Sequence, residues 1–272
     1  MSKLSNLKAR VLVAVIVGPL LLGLTYLGDL FFFALALGIT LLSMYELNLL
    51  LKARDSKTPV WLDMGLTTIL LLNFKFGFTA AEHILFGVVI IRVLYEMFRN
   101  DGSALLNTGG SLLSIMYLGL AGGAIVLLRE QFIDQTKGGL FLIALLLTVW
   151  TGDSVAYFIG SAFGKHRLFE RVSPKKSWEG FWAGLIGSMV IMVVFAYTML
   201  PWLKVPHALV IGFIVGTVGV LGDLAESLFK RDSGIKDSSN LIPGHGGVFD
   251  RFDSLFASAP VIYLFLQFFE IK

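Results

Sequence analysis

Val60-Trp-Leu-Asp-Met-Gly-Leu-Thr-Thr-Ile-Leu-Leu-Leu-Asn-Phe-Lys-Phe-Gly-Phe-Thr-Ala-Ala-Glu-His-Ile-Leu-Phe-Gly-Val-Val-Ile-Ile-Arg-Val-Leu-Tyr-Glu-Met-Phe98 is a run of 39 mostly apolar residues. One helix crossing a bilayer needs roughly 20, so the run is too long for a single crossing. Asn73, Lys75 and Gly77 interrupt it midway. The reading divides it there into Val60 to Phe74 and Ala81 to Phe98. Counting it once or twice decides on which side of a membrane everything downstream lies.

The rest of the chain fits that reading. Hydrophobic residues make up 56% of the 272 and charged residues 15%, where soluble domains carry about 25% charged. The mean hydropathy is +0.80. So apolar a chain cannot cover a water-facing surface, so most of it faces lipid. Disorder is excluded, as is a disulfide-built secreted domain, because there is no cysteine. Thiolate catalysis and thiolate metal sites are excluded on the same ground. Seven more spans read out as Ala9 to Leu27, Leu30 to Leu51, Leu105 to Leu128, Leu140 to Phe163, Phe181 to Leu200, Ala208 to Phe229 and Leu255 to Ile271. The first is too long for a cleavable signal, lacks a small-x-small cleavage site and is followed at once by another span.

Charge placement tests the division. With the N-terminus inside, sixteen of the 22 Lys and Arg fall on inner segments and five on outer ones, with Arg92 inside a span. That is the bias of the positive-inside rule. Merging Val60 to Phe98 would put the two later basic loops on the opposite face from the first two basic segments. The expected fold is an all-α polytopic integral membrane protein of about nine transmembrane helices, N-terminus cytoplasmic and C-terminus outside. Residues 1–138 hold five spans. Residues 139–272 hold four, with two cytoplasmic polar loops at 164–180 and 227–254. The net charge of +3 reads as basic residues retained on the cytoplasmic side, not as a nucleic-acid surface. The lack of a targeting extension points to a prokaryotic plasma membrane.

A carboxylate at membrane depth is costly unless paired or wetted, which makes it a functional candidate. The sixth span carries Asp153, and the eighth carries Asp223 and Glu226, whose i, i+3 spacing puts both on one helix face. Glu46, Arg92 and Glu96, near inner span ends, read instead as a structural ion pair close to the interface. The loop Gly164-Lys-His-Arg-Leu-Phe-Glu-Arg-Val-Ser-Pro-Lys-Lys-Ser-Trp-Glu-Gly180 packs five basic residues into twelve positions. Such a loop touches anionic headgroups. Ser173 to Ser177 also precedes a helix, whose N-terminus offers free N–H groups to a phosphate. Gly160 to Lys165 imitates a P-loop but is one residue short, and His166 stands where Ser or Thr is required.

The second loop, Ser227 to Ser254, mixes Asp232, Asp237, Asp250 and Asp253 with Lys230, Arg231, Lys236 and Arg251. Oxygen ligands without cysteine suit a hard cation such as Mg²⁺, which shares its shell with substrate phosphates. The basic residues suit the phosphates themselves. Gly244, Gly246 and Gly247 let backbone approach a ligand closely.

These residues resemble the signature of the phosphatidate cytidylyltransferase (CDP-diacylglycerol synthase) family. The resemblance rests on Ser227, Lys230-Arg231, Lys236-Asp237, Pro243, His245-Gly-Gly247 and Asp250-Arg-x-Asp253. Asp153-Ser-x-Ala-Tyr157, Gly160, Gly164-Lys165, Ser173-Pro-Lys-Lys-Ser-x-Glu-Gly180 and Gly222-Asp-x-x-Glu-Ser227 resemble its accompanying motifs. The likeness covers roughly the last 120 residues; the first 140 resemble the family only in being hydrophobic. It implies a usually dimeric helical membrane enzyme whose cytoplasmic site turns CTP and phosphatidic acid into CDP-diacylglycerol and pyrophosphate. Mg²⁺ is the expected cofactor, with Mn²⁺ as a substitute and room for a second cation. Expected partners are CTP, phosphatidic acid, membrane lipids and a second copy of the chain, with no nucleic acid.

On this reading Asp223 and Asp250 are the first candidates for the metal, with Asp153, Asp237 and Asp253 beside them. Lys230, Arg231, Lys236 and Arg251 hold CTP phosphates or pyrophosphate, and His245 joins them as a catalytic candidate. Lys165, Ser173, Lys175, Lys176 and Ser177 hold the phosphatidate phosphate or the nucleotide, with Ser227, Gly246 and Gly247 completing the substrate contacts. The rival reading is an ion- or proton-coupled transporter, which also uses intramembrane carboxylates. The long polar stretch after Asp223 argues against it. A CDP-alcohol phosphatidyltransferase is disfavoured because its Asp-Gly-x-x-Ala-Arg pattern is absent from the sequence.

Overall fold

The computed structural model describes residues 3–235, 239 and 246–271, with side chains from residue 15 onward. Among the described residues nine α-helices form. They are α1 (Lys3–Leu27), α2 (Asp29–Lys52), α3 (Val60–Phe76), α4 (Ala81–Met97), α5 (Ala104–Glu130), α6 (Gln135–Phe163), α7 (Trp178–Thr198), α8 (Val205–Asp232) and α9 (Phe249–Phe268). An antiparallel hairpin of β1 (Arg167–Phe169) and β2 (Ser173–Ser177) lies between α6 and α7. α5 and α8 each contain a π turn, at Ile115–Gly119 and Val215–Gly219.

The chain is a multi-pass helical membrane protein. α2, α5, α6, α7 and α8 are long and apolar enough to cross a bilayer. α3 and α4 have 17 residues each, about 26 Å of helix against a hydrocarbon core of about 30 Å. α9 has 20 residues but opens with Asp250, Arg251 and Asp253. The run from Val60 to Phe98 does break where its polar residues fall. Gly77 adopts φ 64°, the left-handed conformation that ends α3, and its N–H reaches the Asn73 carbonyl at 2.8 Å. The Asn73 side chain accepts the Thr79 N–H at 2.9 Å and donates to the Thr79 carbonyl at 3.0 Å, closing the turn into α4.

Packing divides the chain into two compact units. One comprises residues 1–127 and 229–251, the other residues 128–228 and 252–272. In the first, α2, α3, α4 and the first half of α5 pack together around buried charge. Arg92 is fully buried, with its Nε 3.3 Å from Asp63 Oδ1 and its Nη2 3.4 Å from Glu96 Oε1. Ser111 donates to Asp63 at 2.7 Å, and Asn107 and Arg99 donate to Glu96 at 3.2 Å. The expected pairing of Arg92 with Glu96 is present, and Asp63 is the partner the sequence reading overlooked. Glu46 departs from that reading: it accepts backbone N–H groups near the start of α9.

In the second unit α6 and α7 make the most extensive helix contact, and α8 packs on α7. The α6–α7 seam is built from small residues at helical spacing. A Cβ on Gly180 would sit 2.8 Å from the Ala156 carbonyl and 3.1 Å from the Gly160 Cα. One on Gly184 would sit 2.9 Å from the Ala156 Cβ, and one on Gly152 would strike Ser188. Small residues let membrane helices approach closely enough for backbone dispersion to hold them. Gly212 and Gly216 of α8 press in the same way on Met189 and Leu185 of α7.

Removing one partner of a buried ion pair costs about 3–5 kcal/mol, because the other charge stays buried and unpaired. Arg92→Ala is therefore expected to lower sharply the melting temperature of the detergent-solubilised protein. Scanning fluorimetry measures this. An unchanged melting temperature would show that the Asp63–Arg92–Glu96 network carries no stability.

Candidate active site

Most of the described candidate residues fall into two charged clusters, one in each compact unit. In the second unit the basic loop after α6 is no irregular linker. It folds into the β1–β2 hairpin, with Arg167 opposite Ser177 and Phe169 opposite Ser173. Ser177 ends β2 and caps α7, its buried hydroxyl accepting the Gly180 N–H at 3.2 Å. Gly164 lies so close to Ser177 that any side chain there would strike its Oγ and Cβ. Trp178 donates its N–H to the His166 carbonyl at 2.9 Å. Glu179 accepts the His166 N–H at 3.3 Å, and its Oε1 is 2.7 Å from the His166 ring Nδ1. The hairpin is thus tied to the first turn of α7.

That anchoring brings Lys176 to Asp223 on α8, Nζ to Oδ2 at 2.7 Å. The other Asp223 oxygen accepts the Ser227 hydroxyl at 3.3 Å, one turn along the same helix. Asp253, near the start of α9, is buried and accepts the Ser254 N–H at 2.6 Å. It interacts electrostatically with Asp223, Asp153 and Lys176. Asp153, Lys176, Asp223, Ser227 and Asp253 thus form one cluster, with members from α6, β2, α8 and α9. Lys165 and Lys175 lie exposed on the hairpin segment, and Ser173 is half-buried. Beside them an apolar cavity of ≈ 280 Å³ is lined by Leu168, Phe169, Trp178, Phe181, Leu221 and Leu224 among others.

In the first unit Lys230, near the end of α8, pairs with Asp250 in the first turn of α9. The second Asp250 oxygen accepts the Gly247 N–H at 3.2 Å. Gly246 has φ +85°, and a Cβ there would lie 3.2 Å from Asp250 Oδ2, so a side chain would be strained and would crowd that carboxyl. Arg231 and Arg251 are exposed. Lys236, Asp237 and His245 lie outside the described residues. Nearby, Arg54 grips Asp232 with two hydrogen bonds, at 2.7 and 3.0 Å. Lys57 and Arg99 hold the Asp101 carboxyl below its usual range by hydrogen bonding.

Four residues have no place in the site on the sequence reading: Glu179, Glu46, Arg54 and Asp232. Glu179 had a signal, since it stands two residues past Ser177 at the start of a helix, where a carboxylate satisfies free N–H groups. Glu46 is conspicuous in the sequence as a carboxylate within a span. Its partners, about 200 positions away, were out of reach of any local pattern.

Two lysines held by two aspartates form an exchangeable arrangement. A phosphate entering either pair can take the lysine from the carboxylate, leaving that carboxylate to face a cation. Among the described residues no group of three or more His, Asp and Glu converges tightly enough to hold a metal by itself. The donor set still suits Mg²⁺, which takes one or two carboxylates and completes its shell with water and substrate phosphates. Asp153 and Asp223 supply hard oxygen donors within electrostatic range of Asp253, as is Lys176.

Residues 8–269 match the model of the cytidylyltransferase family. The chain is 34% identical to a protein of Haemophilus influenzae described as phosphatidate cytidylyltransferase, over 96% of this chain and 99% of that protein. It is 30% identical to a Bacillus subtilis protein of the same description, over 97% and 99% respectively. A Pseudomonas aeruginosa protein, described likewise, is 49% identical over 121 residues, covering 44% of this chain and 45% of that one. Together with the apolar helices, these matches define a CTP-utilising nucleotidyltransferase built into a membrane. The chain belongs to the cytidylyltransferase family, among the phosphatidate cytidylyltransferases.

Proposed function

We propose that this protein transfers CMP from CTP to phosphatidic acid, forming CDP-diacylglycerol and pyrophosphate at the cytoplasmic face of a bacterial plasma membrane. The pairing of Lys176 with Asp223 and of Lys230 with Asp250 carries the reading. A phosphate oxygen of phosphatidic acid forms a bond to the α-phosphorus of CTP as the bond from that phosphorus to the β-phosphate bridging oxygen breaks. The electron pair leaves with pyrophosphate. The attacking phosphate is already anionic, so no strong base is needed, and catalysis is mostly positioning and charge neutralisation.

The residues divide that work. Lys176, with Lys165, Lys175 and Ser173 on the hairpin segment, receives the lipid phosphate. The apolar cavity formed by the hairpin, α7 and α8 suits hydrocarbon and supports a lipid substrate. Lys230, Arg231 and Arg251 receive the triphosphate, joined on this reading by Lys236 and His245. Asp223 and Asp250, backed by Asp153, Asp253 and Asp237, are positioned by their lysines to meet a divalent cation. A bound Mg²⁺ would supply neutralisation of triphosphate charge. A homodimer is part of the same reading.

Ion pairs within the units support the orientation. Arg54 with Asp232 and Lys57 with Asp101 join helix ends that the positive-inside count assigns to the inner face. Lys75 with Asp29 joins ends assigned to the outer face. A reporter inserted near Arg171 is expected inside and one fused after Lys272 outside. Finding both on one side of the membrane breaks the nine-span count.

The reaction is tested with purified protein, labelled CTP, phosphatidic acid and Mg²⁺ in detergent. A lipid-linked cytidylate is expected, abolished by EDTA and restored by Mg²⁺ or Mn²⁺. Asp223→Asn and Asp250→Asn should each lower the rate roughly a hundredfold, the effect of displacing a charge that positions a cation. No lipid-linked product from the wild type sinks the proposal, and near-normal turnover in either variant removes that residue from the metal site.

The division of labour has its own test. A hydrogen bond to a charged group contributes about 1.5–3 kcal/mol, roughly ten- to a hundredfold in affinity. Lys175→Ala and Lys176→Ala should mainly raise KM for phosphatidic acid. Arg231→Ala and Lys236→Ala should mainly raise KM for CTP, or lower kcat if the contact forms only with the departing pyrophosphate. Saturation curves in mixed micelles, each substrate varied separately, read this out. If both pairs perturb both substrates equally, there is one shared phosphate site.

A further inference from the structure

Glu46 lies on α2, in the half of the chain for which the sequence suggested no role in the reaction. Its side chain is fully buried. Its Oε1 accepts the Val248 N–H at 2.9 Å and also the Ser239 hydroxyl, and its Oε2 accepts the Phe249 N–H at 2.7 Å. Both oxygens act as acceptors, the pattern of an ionised carboxylate. A carboxylate at a helix N-terminus satisfies N–H groups that have no partner within the helix and meets the positive end of its dipole. Glu46 is therefore the cap of α9, supplied by a distant part of the chain.

What that cap holds matters more than the cap. Val248 and Phe249 immediately precede Asp250. Asp250 bonds back to the Gly247 N–H and across to Lys230. Gly246 turns the chain with φ +85° beside the same carboxyl. The segment from Gly246 to Asp250 thus wraps one aspartate, and Glu46 fastens it in the middle. Ser239, from the loop before it, is drawn to the same carboxyl. By taking the Val248 and Phe249 N–H groups, Glu46 also closes part of the helix end to phosphate and leaves anion binding to Lys230 and the exposed arginines.

We infer that Glu46 is a positioning residue for the reaction: it fixes the Gly246–Asp250 turn and so holds the Asp250 carboxyl and its Lys230 partner in working geometry. This rests on the reading of Asp250 and Lys230 given under Proposed function. Replacing the carboxylate with an amide keeps the size but points an NH₂ group at backbone N–H donors. Shortening it to aspartate keeps the charge but withdraws it from the turn.

The test compares wild type, Glu46→Gln and Glu46→Asp, each made with and without Asp250→Asn, in detergent with CTP, phosphatidic acid and Mg²⁺. Glu46→Gln should lower kcat roughly ten- to a hundredfold, the effect of a lost charge-assisted contact, with Glu46→Asp in between. In the Asp250→Asn background the same change should cost little more, because the two residues act in series. Hydrogen–deuterium exchange of the unliganded proteins gives a readout separate from activity. Peptides covering residues 246–252 should lose protection in Glu46→Gln while those of α6 and α7 keep theirs. Wild-type turnover in Glu46→Gln overturns the inference, as does unchanged protection of residues 246–252. Losses that multiply fully in the double variant also overturn it, because they assign Glu46 a purely structural role. A wild type with no cytidylyl transfer overturns the functional reading instead, and the exchange measurement then decides the inference alone.

Discussion

Charge taken out of water must find a partner, and in a chain this apolar that requirement organises the interior. The cost of a lone buried ion is several kcal/mol, and it falls only when Coulomb attraction and hydrogen bonds are both supplied. Four of the charges described above find partners in different ways. Arg92 is held between Asp63 and Glu96. Glu46 is satisfied by backbone and hydroxyl donors. Lys176 and Lys230 each lean on an aspartate. The first two arrangements are buried and serve to hold helices. The last two are partly open, so their partners can change, and a site for polyanions needs groups of that kind.

The architecture around these pairs is economical in residue types. Glycines bring α6, α7 and α8 close together, and a serine cap and a glutamate fasten the hairpin to the top of α7. Lys176 therefore projects from a short strand braced at both ends. In the other unit a left-handed glycine and a borrowed carboxylate do the same for Asp250. Lys176 sits on a short strand and Asp250 in the first turn of a helix, and each is braced against a helix end, where rigidity is available.

The sequence was legible where the signal was local. Asn73 and Gly77 marked the α3–α4 turn because an amide side chain and a glycine are what a helix end requires. Arg92 and Glu96 stood out as charges near the inner end of one span, where an ion pair is expected, and they do pair. The acid and base residues of the second half stood out because they crowd into two short stretches of an otherwise apolar chain. What escaped was non-local or weakly periodic. Nothing near Glu46 announces that it caps a helix some 200 residues later, and nothing near Arg54 points to Asp232, 178 positions away. The hairpin was invisible because two strands of three and five residues leave no alternation to read. The small-residue seam at 152, 156, 160 and 180, 184, 188 was in plain sight. Its meaning is not local either, because single glycines in apolar helices look ordinary until their spacing is compared across two helices.

That seam limits how the second unit can move. Two helices that meet through glycine, alanine and serine leave no room for larger side chains at those positions. Sliding or rotating either by a residue would bring Val155 or Tyr157 against positions that admit no Cβ. Shear between α6 and α7 is therefore opposed by side-chain clashes. The place in this unit where the helical ladder is already loosened is the π turn of α8, at Val215–Gly219.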